Sequence, residues 1–128
     1  MLKNFKDMKG VIAIATTPFD NENLIDFDSV DRLSNYYLES EVSGVTILGV
    51  MGEAHKLNIE EQKLLIKRYI NKLSGKVPVI VGVSNAGLDN LELLSKFSMD
   101  SGASGVMVSG NNGLKNDDQI KFYFNQVI

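Results

Sequence analysis

Apolar residues fall into two patterns that alternate along the chain. Four short segments are almost wholly apolar: GVIAIA at 10–15, GVTILG at 44–49, VPVIVGV at 77–83 and GVMVSG at 105–110. Unbroken runs of this length, without in-and-out alternation, predict strands covered on both faces, as in a parallel sheet. Between them the spacing becomes helical. Val30, Leu33 and Tyr37 share one face, with Asp28 or Ser29 as the N-cap. Ile59, Ile66, Ile70 and Leu73 form the next stripe. Asn58 followed three residues later by Glu61 has the form of a capping box, and Glu60 and Glu61 suit the positive end of a helix. Leu88, Leu91 and Leu94 mark a third helix, closed by Gly102 after Ser101. Asn116 with Gln119 opens a fourth, carrying Ile120, Phe124 and Val127.

These elements make four βα units. Val11, Val45, Val79 and Val106 mark the strands at intervals of 34, 34 and 27 residues, and short connections with Gly44, Gly75 and Gly105 lead from helix to strand. Strand, helix, parallel strand is the right-handed crossover unit, so the class is α/β. No linker or low-complexity segment interrupts residues 1–128, which read as one domain. A (β/α)8 barrel takes about 250 residues, so four units in 128 residues keep the pace of half a barrel. The sequence also stops inside its fourth amphipathic pattern, at Phe122–Ile128, without a capping signal. The expectation is the N-terminal half of a (β/α)8 barrel, truncated within the fourth helix. Open sheet edges and an uncovered inner face would make such a piece self-associate or dissolve poorly.

Composition narrows the function. With 44% hydrophobic and 23% charged residues, the chain has the make-up of a soluble globular protein. A net charge of −3 without a basic stripe argues against nucleic acid as a partner. There is no cysteine, which excludes disulfides and thiolate metal sites, and one histidine, His55, is too few for a histidine-based site. No apolar run approaches the roughly 20 residues of a membrane-spanning helix. The N-terminal run VIAIA is too short for the core of a signal peptide, and the reading is a cytoplasmic protein.

In parallel α/β folds, ligands meet the C-terminal ends of the strands. Those ends here are Thr16-Thr17-Pro18-Phe19, Gly49-Val50-Met51-Gly52-Glu53, Gly82-Val83-Ser84-Asn85-Ala86 and Ser109-Gly110-Asn111-Asn112-Gly113. Glycine beside small polar residues exposes backbone N–H groups that hold a carboxylate or phosphate. The segment GVMGE is not a P-loop, because it lacks GxxxxGK[ST] and sends no lysine into the helix.

GVIAIATTPFD, Asp26-Phe27-Asp28, GVTILGVMGEAHKLNIEEQ, VPVIVGV and SGASGVMV together resemble the dihydrodipicolinate synthase / N-acetylneuraminate lyase family, in order and over nearly the whole chain. The resemblance implies a (β/α)8 barrel, dimeric or tetrameric at full length, acting on pyruvate or a related 2-oxo acid. A strand-6 lysine would form a Schiff base with the keto carbon, and a strand-5 tyrosine would relay protons. Both would lie beyond Ile128, so these 128 residues hold no catalytic residue of their own. No metal or organic cofactor is implied, since the lysine imine carries the chemistry. The family's turn after strand 2 is usually G-[ST]-T-G-E, and its hydroxyls bind the substrate carboxylate. Here Gly49, Gly52 and Glu53 match, while Val50 and Met51 replace the hydroxyl residues and leave only backbone N–H groups. After strand 4 the lysine-biosynthetic enzymes carry P-x-Y-Y-N-K-P, where this chain has Ser109–Lys115 without tyrosine.

Thr17, Gly49, Val50, Met51, Gly52 and Glu53 are therefore the candidate substrate-binding residues. Each also has a plainer reading. Thr17, held extended by Pro18, either walls the pocket or shapes the turn. Val50 and Met51 read as packing residues. Glu53 reads as a stabiliser of the turn or of helix N–H groups, His55 as a loop or interface residue, and Tyr36 and Tyr37 as packing. Lys56 and Lys115 read as solvated loop lysines, and Asn111 and Asn112 as substrate contacts or turn formers. Three functions remain open: a Schiff-base lyase or aldolase, a non-catalytic relative that binds a small molecule or regulates, and a complete small doubly wound domain binding a phosphorylated ligand.

Overall fold

Valine and isoleucine dominate the strand segments, and the helical segments each present one apolar stripe, so the chain stacks helices on a sheet. The computed structural model describes residues 8–110 and 112–128. Its elements are β1 (Ile12–Ile14), α1 (Phe27–Glu39), β2 (Gly44–Ile47), a 3-10 turn (Ala54–Lys56), α2 (Ile59–Leu73), β3 (Val79–Gly82), α3 (Leu88–Asp100), β4 (Gly105–Met107) and α4 (Asp117–Val127). The sheet runs in the order β1-β2-β3-β4, with every pair parallel. This sequential order, without the reversal that marks a doubly wound sheet, is that of the N-terminal half of a (β/α)8 barrel. The doubly wound reading is set aside on this topology.

The core lies between the helix-facing side of β2 and β3 and the apolar stripes of the helices. Val45, Ile47, Val79 and Val81 are at most 2% exposed and meet Val30, Leu65, Ile66, Tyr69, Leu73 and Leu94. Full burial of such aliphatic side chains contributes about 1.5–3 kcal/mol each before entropy is counted. Buried hydroxyls are satisfied locally: Ser34 Oγ donates to the Val30 carbonyl at 2.9 Å and Ser98 Oγ to the Leu94 carbonyl at 2.6 Å.

Several expectations change at the edges. Only β2 and β3 are covered on both faces; Ile12, Ile14, Val106 and Met107 on the outer strands are exposed, because nothing among the described residues pairs with β1 or β4 on their far sides. The N-cap of α1 is Asp26 rather than Asp28 or Ser29. Its carboxylate accepts the Ser29 amide at 3.0 Å and the Ser29 hydroxyl at 2.5 Å, which starts the helix earlier. Leu88 opens α3 but stays exposed, while Leu91 and Leu94 are buried. On α4 the buried residue is Tyr123, with Ile120 turned outward and Phe124 and Val127 half-buried. Tyr37 packs into the core as expected, but Tyr36 is exposed.

The helix ends follow the sequence closely. The capping box of α2 is formed in full: Glu61 N donates to Asn58 Oδ1 at 2.9 Å, and Asn58 N to Glu61 Oε2 at 2.8 Å. Gly102, with φ +104°, ends α3 one residue after its C-cap Ser101. Gln119 N donates to Asn116 Oδ1 at 3.0 Å, but the Gln119 side chain reaches back to the Lys115 amide, one residue further than a capping box requires.

An ion cluster joins α1 to α2. Arg68 binds Asp31 through two hydrogen bonds of 2.7 Å, and Lys72, one turn along, lies 3.1 Å from the same carboxylate. The hydrogen bond from Arg68 holds the Asp31 carboxyl below its ordinary pKa, against an opposing desolvation, with Lys72 adding to the depression. A carboxyl depressed in the folded state stabilises fully above its unfolded pKa of about 3.9 and loses that contribution as pH falls through the folded value. Asp31→Asn should therefore lower Tm at neutral pH, and the gap to the parent chain should close as the pH of thermal melts is taken below about 3.9. A gap that widens on acidification would contradict this assignment.

Candidate functional site

Strand β2 does not run straight into its helix because its last turn is fixed by a close approach to β3. Leu48 follows β2 with φ +55°, a left-handed conformation that costs a leucine energy, and is only 4% exposed. Its carbonyl lies directly over Gly82: a Cβ there would overlap the Leu48 oxygen and stand 2.8 Å from its carbon. Only glycine admits this contact. The chain then folds on itself. Gly52 N donates to the Gly49 carbonyl at 3.0 Å and Glu53 N to the Val50 carbonyl at 3.1 Å. Glu53 is again left-handed, φ +53°, and leads through the 3-10 turn to the Asn58 cap. Gln62 of α2 holds the turn from beneath, donating to the carbonyls of Ala54 at 3.2 Å and Leu57 at 3.1 Å. The delay between β2 and α2 is thus a built loop.

The end of β1 is tied to this loop. Thr17, 6% exposed, donates from Oγ1 to the Gly52 carbonyl at 2.6 Å. Tyr69 of α2 donates its hydroxyl to the Thr16 carbonyl at 3.1 Å. Burial pushes the Tyr69 phenol far above its ordinary pKa, and the neighbouring Tyr37 adds to the rise. Burial likewise raises Tyr37. Both tyrosines therefore stay protonated at physiological pH and act as struts.

Of the six candidates, Gly49 and Gly52 are buried in the turn and Thr17 anchors it, so the structure gathers these three around one loop. Val50 and Met51 stand at its crest, 86% and 58% exposed, rather than packed as their apolar character suggested. Their amides donate to no acceptor among the described residues, whereas those of Gly52 and Glu53 are used within the turn. Glu53 makes no cap hydrogen bond; its carboxylate pairs with Lys56 at 2.9 Å. His55 and Lys56 are exposed on the 3-10 turn. Asn112 is exposed, and Asn111 lies outside the described residues.

The mouth holds one further polar pair. Ser84 and Ser109, at the ends of β3 and β4, have hydroxyls 3.1 Å apart, and the Ser109 amide donates to Ser84 Oγ at 2.9 Å. Among the described residues, no group of three or more His, Cys, Asp or Glu side chains could hold a metal ion, and no helix is long and apolar enough to cross a membrane.

Residues 7–128 match the dihydrodipicolinate synthetase family. A 4-hydroxy-tetrahydrodipicolinate synthase of Kosmotoga olearia is 38% identical over 101 residues, covering 78% of this chain and 34% of its own. One from Methanocaldococcus jannaschii is 35% identical over 99 residues, covering 77% and 34%. The chain spans about a third of the length of these curated relatives. Among solved structures, dihydrodipicolinate synthase from Rhodopseudomonas palustris superposes with a TM-score of 0.92 at 42% identity, over 99% of this chain and 42% of that one.

Thr17→Val keeps the shape of the side chain but leaves the Gly52 carbonyl without its buried donor. It should cost about 1–3 kcal/mol in urea unfolding, while Thr17→Ser should recover most of it. Equal stability of the valine variant and the parent would remove Thr17 from the loop's support.

Proposed function

We propose a function from one premise: the chain belongs to the dihydrodipicolinate synthetase family, and it supplies the carboxylate-holding side of a 2-oxo acid site. The observation that carries this reading is the pair of open amides at Val50 and Met51. They stand on a loop fixed by the Leu48–Gly82 contact and the Thr17–Gly52 hydrogen bond, at the strand ends where barrel enzymes bind substrate. Two adjacent amides without acceptors suit the oxygens of a carboxylate, and fixed donors need no reorganisation when the ligand arrives.

The reaction is a carbon–carbon lyase or aldolase step on pyruvate or a related 2-oxo acid. A lysine amine supplied beyond Ile128 attacks the keto carbon and expels water. The resulting iminium draws electrons from the bond next to it, so that a carbon–carbon bond forms or breaks. The reading needs no metal or organic cofactor. It places the protein in the cytoplasm, as a homo-oligomer at full length, with neither nucleic acid nor membrane as partner. The domain is residues 1–128 of a larger barrel.

The side chains of Val50 and Met51 favour a second reading as well. Two exposed apolar groups where hydroxyls would assist the carboxylate suit a relative that binds a small molecule or regulates without turning it over. Borohydride reduction in the presence of pyruvate separates the two. The 128-residue chain should trap nothing, because Lys56 is exposed and paired with Glu53 rather than desolvated. The full reading frame should gain the mass of a reduced pyruvyl adduct on one lysine beyond residue 128. No adduct with pyruvate or other 2-oxo acids would favour the non-catalytic relative, and an adduct on Lys56 or Lys115 would overturn the proposed division of the site.

A further inference from the structure

The inner face of the sheet carries a second polar feature beside the loop. Val81 and Val83, in and just past β3, belong to the helix-side core, and Val108, just past β4, packs against it. Side chains alternate along a strand, so Ser84 and Ser109 point the other way, toward the lumen. They continue the register in which Gly82 faces Met107, and both stand exposed one step nearer the mouth. That row already meets the loop. Gly82 underlies the Leu48 carbonyl, and Met107 Cε lies 3.8 Å from where a Cβ on Gly49 would stand. The serine pair is thus beside the crest that carries the open amides of Val50 and Met51. The rest of the barrel adds strands next to β1 and β4, and leaves open the strand ends at which barrel enzymes bind substrate.

The two hydroxyls share one hydrogen bond of 3.1 Å in which either can donate, and Ser84 Oγ also accepts the Ser109 amide at 2.9 Å. A hydroxyl has one proton to give and two lone pairs. Whichever serine donates within the pair, the other keeps its proton, and Ser109 Oγ keeps at least one lone pair. Neither hydroxyl meets a further partner among the described residues. One donor and one acceptor side by side match a hydroxyl, which both gives and accepts, better than a carboxylate, which only accepts.

We propose that Ser84 and Ser109 hold a hydroxyl on the ligand's carbon chain, and so select hydroxylated 2-oxo acids over plain ones. This role rests on the reading that the amides of Val50 and Met51 hold the carboxylate. Adjacent strands lie about 4.8 Å apart, so the pair on β3 and β4 stands roughly 5–10 Å from the crest after β2. Hydrogen bonds of about 2.9 Å at both ends leave up to roughly 4 Å between them, the extent of a chain of about four carbon atoms. The proposed reaction puts a hydroxyl at that place. The methyl carbon of pyruvate gives up a proton and bonds to an aldehyde carbon, and the aldehyde oxygen takes up a proton to become a hydroxyl on the fourth carbon.

The full reading frame should be titrated with 4-hydroxypentanoate, pentanoate and pyruvate, followed by the broadening of the ligands' NMR lines. The first two share length and carboxylate, differ only in the hydroxyl, and lack the keto carbon that an imine needs. The parent protein should bind 4-hydroxypentanoate about threefold to tenfold more tightly than pentanoate, the effect of one net hydrogen bond. S84A/S109A should bring the two affinities together and leave those for pentanoate and pyruvate unchanged, while S109T, which keeps a hydroxyl, should retain the preference. A preference that survives S84A/S109A would overturn the proposal. So would an equal loss of affinity for all three ligands, the mark of a merely structural role. Pyruvate bound by a parent that shows no preference would sink the role of the pair alone. A parent that binds no pyruvate would sink the carboxylate reading, and the role of the pair with it.

Discussion

The contact between the Leu48 carbonyl and Gly82 governs the strand-end loop of this half-barrel. It brings the end of β2 closer to β3 than any residue with a Cβ would permit, and it holds a buried leucine in a left-handed conformation. The turn that follows depends on it. Gly52 sits where a Cβ would stand 3.0 Å from Leu48 N and 3.3 Å from the Ala15 carbonyl, so β1 and β2 converge on the same glycine. Thr17 then closes the arrangement with its hydrogen bond to Gly52. Backbone strain of this kind persists only where surrounding contacts determine it, and it concentrates at sites that hold ligands.

Much of the architecture could be read from residue patterns because its causes are local. The capping box of Asn58 and Glu61 forms as its spacing implies, and Gly102 ends α3 through a positive φ that glycine adopts without cost. The four apolar runs became the four parallel strands. Local pattern and structure part where tertiary context decides the outcome. Asp26, Asp28 and Ser29 are all good N-caps, and nothing local ranks them; the structure chose the one whose carboxylate reaches both the amide and the hydroxyl of Ser29. Ile120 and Tyr123 both suit a helix stripe, but packing outside the helix decides which is covered. Strand runs at the sheet edges read as doubly covered because the chain carries strands made for a fuller ring.

At the site, the loop was visible and its mechanism was not. The glycines of GVMGE and the threonine before Pro18 mark a built strand-end loop in the sequence. Leucine gives no local sign of left-handed backbone, so the key role of Leu48 was hidden. Gly82 carried a partial sign, as a glycine inside an apolar strand often marks close backbone approach. The Ser84–Ser109 pair joins residues 25 apart through the neighbouring register of β3 and β4, which no local spacing reveals.

The same geometry explains how the loop stands with valine and methionine at residues 50 and 51. A side-chain hydroxyl that touches only ligand contributes nothing to holding the turn, so replacing it with valine or methionine leaves the fold undisturbed. The turn is held by carbonyl and amide bonds of Gly49, Val50, Gly52 and Glu53, by the Thr17 hydroxyl and by the Gln62 amide beneath. None of these uses the side chains of residues 50 and 51. The support and the exposed crest are therefore separable: the side chains at residues 50 and 51 are free to change without touching the turn, whereas substitution at Thr17 or Gly82 changes whether the loop exists. Under the proposed carboxylate-holding role, such a loop keeps its architecture while the residues at its crest vary.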